Sequence, residues 1–164
     1  MFLMTPLIEA ARKGHTAVVE ALLADGVALD AQDRAGFTAL IWAAYEGHTT
    51  IVKALLDKGA TVNLGDGNGN TALILAAYEG RNVIVEILLA KGAEIDLQDR
   101  DGNTALICAA RKGHTAVVEA LLAKGANVDA KDKSGDTALS WAVRRSQPAI
   151  VKLINKTKQR QPAA

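Results

Sequence analysis

The sequence predicts an all-α solenoid, in which copies of one helix–turn–helix unit stack side by side and are connected by projecting β-turn or hairpin loops. Threonine recurs every 33 residues at five positions: Thr5, Thr38, Thr71, Thr104 and Thr137. Each threonine begins a similar phrase, and residues 12–24 recur letter for letter as residues 111–123. Self-similarity at such a period is the signature of a repeat architecture, whose stacked copies share a continuous core.

The first helix of each unit is expected to begin at its threonine and to end at a glycine. A threonine hydroxyl can accept a hydrogen bond from an exposed backbone N–H of the first turn, which makes it a good N-cap. Glycine adopts the left-handed conformation with which many helices end. The predicted helix ends are Gly14, Gly47, Gly80 and Gly113.

The second helix of each unit carries apolar pairs at helical spacing, as at Val18-Val19 and Leu22-Leu23. We expect these helices to begin near Thr16, Thr49, Asn82 and Thr115 and to end at Gly26, Gly59, Gly92 and Gly125. An extended stretch then leads to an Asp-x-x-Gly turn, as at residues 33–36 and 66–69. One unit cannot bury its apolar face alone, so residues 1–160 are predicted to form one domain with a tail at 161–164.

Composition limits both the kind of core and the class of partner. Hydrophobic residues make up 49% of the chain but aromatic residues only 4%, so we expect a core of Ala, Leu, Val and Ile. The net charge of +1 does not favour binding to nucleic acid, and no apolar run is long enough for membrane insertion. The single cysteine, Cys108, and the lack of a signal-like segment favour a cytoplasmic protein.

The repeated phrases resemble those of the ankyrin repeat. The resemblance rests on Thr-Ala-Leu or Thr-Pro-Leu, Ala-Ala, Gly-His, Val-Val, Leu-Leu, Gly-Ala and the Asp-x-x-Gly turn, and it covers nearly the whole chain. It implies a concave face, projecting turns and a role in binding another protein. The family usually places histidine after Thr-Pro-Leu, whereas this chain has Ile8, Ile41, Ile74, Ile107 and Ser140 there. We interpret this departure as a variant framework.

Positions that differ between units are the candidates for specific binding. The resemblance places three positions of the first helix, and three of the turn, on the concave face and turn tips. The residues chosen from these positions for partner binding are Arg34, Phe37, Trp42, Tyr45, Leu75, Tyr78, Cys108, Arg111, Lys112, Trp141, Arg144 and Arg145. Five of the six aromatic residues fall among them. Because Trp, Tyr and Arg are enriched at binding hot spots, we expect a protein partner with an apolar anchor and with acidic groups near the C-terminal units. Alternatively, Trp42 and Trp141 only pack against neighbouring helices.

Several motifs suggest chemistry that the repeat explains more simply. Residues 65–70 are rich in Gly, Asp and Asn, but they lack the Glu of a calcium loop and the Lys of a phosphate loop. The histidines His15, His48 and His114 are too far apart for one metal and are expected to bridge backbone groups between helices. Cys108 is either reactive or a filler. We therefore expect no metal, no cofactor and no catalytic site.

Three questions stay open from the sequence. The protein is either an adaptor or a regulatory subunit that occludes a partner enzyme. An engineered origin is an alternative to a natural one. The C-terminal unit has polar replacements such as Asn155, whereas the N-terminal unit lacks them. The first unit is therefore covered by Phe2 and Leu3, or continues a longer chain, or pairs end to end with a second copy.

Overall fold

The computed structural model describes residues 4–161, and these residues form ten α-helices. In chain order the helices are α1 (Pro6–Lys13), α2 (Thr16–Ala24), α3 (Ala39–Glu46), α4 (Thr49–Asp57), α5 (Ala72–Tyr78), α6 (Asn82–Ala90), α7 (Ala105–Lys112), α8 (Thr115–Ala123), α9 (Ala138–Arg144) and α10 (Pro148–Arg160). Five pairs of helices result, one for each predicted unit. The second helices begin at the predicted residues.

The helices form two layers. The first helices α1, α3, α5, α7 and α9 pack side by side in that order, and the second helices α2, α4, α6, α8 and α10 form a parallel row. Each second helix also packs on the first helix of its own unit. Between the helices, the described part of the chain contains turns and one isolated antiparallel β-bridge, from Gly65 to Thr71. The predicted helical solenoid is confirmed.

Threonine caps every first helix, as the sequence predicts. In each unit its Oγ1 accepts a hydrogen bond from the backbone N–H three residues later, at 3.2 or 3.3 Å. In the fifth unit Ser140 returns the bond, because its Oγ accepts from the Thr137 N–H at 2.8 Å. These bonds satisfy N–H groups that the helix itself leaves free.

Glycine is favoured after the first helices for two reasons, although Ser146 takes the left-handed conformation there in the fifth unit, with φ 54°. Gly14, Gly47 and Gly113 cap α1, α3 and α7 with φ between 75° and 91°, a region that L side chains rarely adopt. In addition, a Cβ at Gly14 would lie 2.6 Å from the imidazole of His48 in the next unit. A side chain at Gly14 would therefore prevent the second unit from packing this closely on the first.

Aliphatic side chains fill the core, as composition predicts. The isoleucines in place of the usual histidine are almost fully buried; Ile8, Ile41 and Ile107 are each 1% exposed. The expectation that aromatic residues take no part in the core is only partly correct. Phe37, Trp42 and Trp141 are half-buried and pack against its edge.

The C-terminal unit is less polar than the sequence predicts. Asn155 is exposed beside the buried Ile154, but Val143 is 60% exposed at the same end of the stack. Phe2 and Leu3, the predicted cover of the first unit, lie outside the described residues. Among the helices that the structure describes, none combines the length and the apolar character needed to cross a membrane.

Candidate functional site

The turn tips are tied to one another by backbone hydrogen bonds. The N–H groups of Gly67, Arg100 and Lys133 each donate to a carbonyl oxygen in the preceding turn, at 2.8 Å in all three cases. Within each turn, the aspartate Oδ1 accepts N–H groups from two and four residues later, as Asp33 does at 2.9 and 3.0 Å. The row of turns is consequently fixed in register with the helices beneath it.

A groove runs between the turns and the first helices. In the middle of the stack a cavity of about 360 Å³ is lined by turn residues such as Asn68 and Asp101 and by helix residues such as Tyr45, Leu75 and Tyr78. Side chains from two different parts of the unit therefore face one space. The positions that differ most between units lie along this space.

Three aromatic side chains of the second unit form an aromatic cluster: Phe37, Trp42 and Tyr45. The Phe37 and Trp42 ring centroids are 4.5 Å apart at 32°, and the Trp42 and Tyr45 centroids are 6.2 Å apart at 80°. The guanidinium carbon of Arg12, from the first unit, lies 5.6 Å from the Trp42 centroid. The cluster is half-buried and offers apolar surface to the groove.

A basic cluster occupies the C-terminal end of the groove; it consists of Arg111, Lys112, Arg144 and Arg145 around Trp141. The guanidinium carbons of Arg111, Arg144 and Arg145 lie 5.2, 4.8 and 5.8 Å from the Trp141 centroid. Lys112 instead places its Nζ 4.7 Å from the Tyr78 centroid. Aromatic faces attract cations, so they hold these like charges close together.

Comparison with known families agrees with this architecture. A family model described as "Ankyrin repeats (3 copies)" matches residues 7–99 and residues 73–161. The chain belongs to the ankyrin-repeat family. Ankyrin repeats generally serve as protein–protein interaction modules, and their all-helical fold is typical of non-enzymatic scaffolds. A comparison with curated proteins found no match.

Both tryptophans of these ankyrin repeats also have a structural role. The indole Nε1–H of Trp42 donates to Asp33 Oδ2 at 2.9 Å, and that of Trp141 donates to Asp132 Oδ2 at 2.8 Å. Both aspartates are buried, at 8% and 9% exposure, so each carboxylate needs such donors. The alternative that the tryptophans pack within the framework is thus correct in part, and their exposed faces remain in the groove.

The third and fourth repeats satisfy the same aspartate differently. There Asn70 and Asn103 donate their side-chain Nδ2–H to Oδ2 of Asp66 and Asp99, at 3.0 and 2.9 Å. The sequence contains the signal, because repeats with asparagine after the turn glycine have no tryptophan five residues later. Our sequence interpretation missed this exchange of partners.

The other predicted contact residues differ in accessibility. Arg34 is exposed on its turn tip, and Leu75 is half-buried against the core. Cys108 is only 2% exposed, and burial raises the pKa of its thiol to about 12. Cys108 is therefore buried at the floor of the groove, where it also lines the central cavity, and its contact with a partner stays a prediction.

Two of the three histidines bridge consecutive repeats, as predicted, whereas His15 is exposed at the end of the stack. The Nε2 atoms of His48 and His114 lie 3.1 and 2.9 Å from the carbonyl oxygens of Arg12 and Tyr78 in the preceding unit. Arg81 takes the same place in the third repeat, with Nε donating to the Tyr45 carbonyl at 3.3 Å. Within residues 4–161, no group of three His, Cys, Asp or Glu side chains is arranged to hold a metal ion.

Two further residues next to the basic cluster lie at variable turn positions but were not among the residues chosen for partner binding. Asp136 accepts two parallel bonds from Arg144, both at 2.9 Å, and so neutralises this arginine. Asn103 accepts from Arg111 at 3.3 Å. Both partners lie eight residues before their arginine, directly before the threonine that caps the first helix. A search for that spacing in the sequence would have found them.

Proposed function

We propose that this protein is an adaptor whose groove binds a partner protein. The observation that carries the proposal is that residues unlike one another from repeat to repeat meet across repeat boundaries, as Arg12 meets Trp42 and Lys112 meets Tyr78. The variable positions thus form one continuous surface. Its residues are Arg34, Phe37, Trp42, Tyr45, Leu75, Tyr78, Arg111, Lys112, Trp141, Arg144 and Arg145.

The two ends of the groove differ in chemistry, and this difference defines the partner. The aromatic cluster offers a half-buried apolar surface, which suits an aliphatic or aromatic anchor. The basic cluster offers arginine and lysine, which suit carboxylates or phosphates. We propose a partner segment with an apolar anchor toward the second repeat and acidic groups toward the fifth, met in the cytoplasm.

A comparative capture experiment tests this function. Tyr45→Ala with Arg145→Gln changes both ends of the groove without removing a tryptophan that the turns require. The matched control, Lys53→Gln with Glu20→Gln, changes two exposed residues of the second-helix row. A partner that binds in the groove is captured by the wild type and the control but is depleted about tenfold or more with the groove variant.

Equal capture by both variants would contradict the groove as the binding surface. When the captured protein is an enzyme, its activity with and without this chain distinguishes an adaptor from an occluding subunit. End-to-end pairing through the first repeat is a separate proposal, and sedimentation of the isolated protein over a range of concentrations tests it. A constant monomer mass contradicts the pairing.

A further inference from the structure

A basic pocket opens where α5, α7 and α9 end. Its volume is about 490 Å³, and its lining residues are Tyr78, Arg111, Lys112, Arg145 and Gln147. Arg111 and Lys112 are the last two residues of α7, and Arg145 follows α9. Three cations from two repeats therefore surround one opening.

Aromatic faces hold these cations, and of the three only Arg111 also donates side-chain hydrogen bonds, to Asn103 at 3.3 Å and to the Cys108 sulfur at 4.0 Å. Lys112 lies over Tyr78, and Arg111 and Arg145 lie over Trp141. A ring attracts a cation through its quadrupole but accepts no conventional hydrogen bond, so N–H groups at the guanidinium edges can still donate to an oxyanion. The carboxyl ends of the helices add negative potential, which further lowers the cost of placing three cations together.

No carboxylate forms a salt bridge with the cations that line the pocket, although the buried Asp132 lies near enough to Arg111 for this cation to help lower its pKa. Salt bridges in residues 4–161 involve Lys13, Lys91, Arg144 and Lys158 as cations, and none of the three cations of the pocket takes part. Arg144, in the same cluster, is paired with Asp136. Within the basic cluster, the cations outside salt bridges are thus the three that line the pocket.

The first repeat shows what a neutralised version looks like. It carries the same Arg-Lys pair at Arg12 and Lys13, but Lys13 bonds Glu9 at 2.7 Å. In the fourth repeat the position of Glu9 is taken by the buried Cys108. One residue difference therefore removes the acid that would pair with Lys112.

We propose that this pocket binds a doubly charged oxyanion, a phosphoryl group or two adjacent carboxylates, on the partner segment that lies in the groove. The proposal rests on the function proposed above and specifies the chemistry of its acidic end. Three cations outside any salt bridge match a dianion better than a single carboxylate, and they outweigh the negative potential of the helix carboxyl ends. Two arginines supply planar, bidentate donors, and the lysine supplies a point charge.

Nuclear magnetic resonance of the ¹⁵N-labelled protein tests the pocket with inorganic phosphate as the probe, at pH 7.5 and constant ionic strength set with chloride. We expect saturable shifts in the Nε–H signals of Arg111 and Arg145 and in the amides near Tyr78 and Gln147. Lys112→Gln with Arg145→Gln weakens binding about tenfold or more, since each removes a charged donor.

The matched control is Lys13→Gln with Lys53→Gln, which removes the same net charge from exposed positions outside the proposed binding surface. It leaves the affinity for phosphate within about twofold, because screening makes distant surface charges weak. Equal weakening by both variants, or shifts spread over all repeats, overturns the pocket. Because all four side chains are exposed, we expect the thermal unfolding temperature to stay unchanged. An unchanged temperature shows that the variants still fold.

Three short peptides then distinguish the source of the anion: one with phosphoserine, one with two adjacent glutamates and one with serine. Stronger binding of the phosphoserine peptide assigns a phosphorylated partner, and binding of the glutamate peptide assigns an acidic one. If inorganic phosphate binds but neither the phosphoserine peptide nor the glutamate peptide does, the assignment to a protein segment is overturned. Phosphate could bind in the pocket while the Tyr45→Ala, Arg145→Gln variant still captures the partner as well as the wild type does. In that case the proposed function fails while the pocket stands.

Discussion

Residues 7–24 and 106–123 are identical except for Glu9 and Cys108, and the structure places these two segments in different surroundings. Locally they behave alike. Their second helices, α2 and α8, begin and end at corresponding residues, and their first helices α1 and α7 both end at lysine before a left-handed glycine. Local sequence therefore determines the helix pair in the same way at both places.

The repeats that lie next to the two segments give corresponding residues different burial. Val18 is 48% exposed, whereas its counterpart Val117 is 1% exposed, because the fourth repeat packs on α6 of the repeat before it. His15 is exposed, whereas His114 reaches the carbonyl oxygen of Tyr78. The same residues thus contribute little to the edge of the stack and much to its interior, as expected when stability comes from contacts between repeats.

The largest expected effect concerns the one residue that differs. Because burial raises the pKa of Cys108 to about 12, its thiol is protonated near neutral pH. We expect it to react with an aromatic disulfide reagent at pH 8 at least about a hundredfold more slowly in the native protein than in urea. Absorbance at the released thiolate measures both rates. Similar rates would mean that the thiol is accessible to the reagent from the groove.

A matched pair of valine substitutions measures how much packing against a preceding repeat contributes to the free energy of unfolding. Val117→Ala should lower the free energy of unfolding by about 2 kcal/mol, because it removes buried methyl groups and leaves a cavity. Val18→Ala should lower it by less than about 0.5 kcal/mol, since this side chain is half exposed. Urea unfolding followed by circular dichroism gives both values. Equal losses would mean that the first repeat is covered as well as the fourth.

The histidine pair measures the hydrogen bond between repeats. His114→Ala should cost about 1 kcal/mol in the free energy of unfolding, because it leaves the Tyr78 carbonyl without its partner. His15→Ala should have almost no effect, since its side chain is exposed at the end of the stack. The same urea experiment compares the two variants, and a larger loss at His15 would contradict the proposed order.

A smaller effect on stability should appear only in acid, and it concerns Trp141, whose ring lies beneath Arg111. Burial alone would raise the pKa of Asp132, but bonds from the Trp141 indole and from backbone N–H groups outweigh it and lower the pKa. A lowered folded pKa stabilises the protein above the unfolded value of about 3.9, and this stability is lost as pH falls through the folded pKa. Trp141→Phe should therefore lose less stability than the wild type between pH 7 and pH 3.

Urea titrations at both pH values measure this difference. Trp42→Phe is the companion variant, because it removes the corresponding indole bond to Asp33 in the second repeat. An equal or greater loss in acid for Trp141→Phe would show that the indole does not favour the ionised carboxylate of Asp132.

Much of the fold follows from short-range patterns and was predicted correctly. Thr38 caps α3, Gly47 ends it, and Thr49 begins α4, because caps and left-handed glycines depend on the nearest few residues. The groove residues were harder to predict. The bond from Trp42 to Asp33 links a helix to its turn, and the contact of Lys112 with Tyr78 crosses a repeat boundary.

The sequence by itself determined the number of repeats, the helix boundaries and the aliphatic core, because each is encoded within one 33-residue period. Only the tertiary structure decided which of two nearly identical segments is buried. It exposed Val18, buried Val117 and placed Lys112 beside an open pocket. The physical reason is that burial depends on the neighbouring repeats, which differ even where the letters are the same.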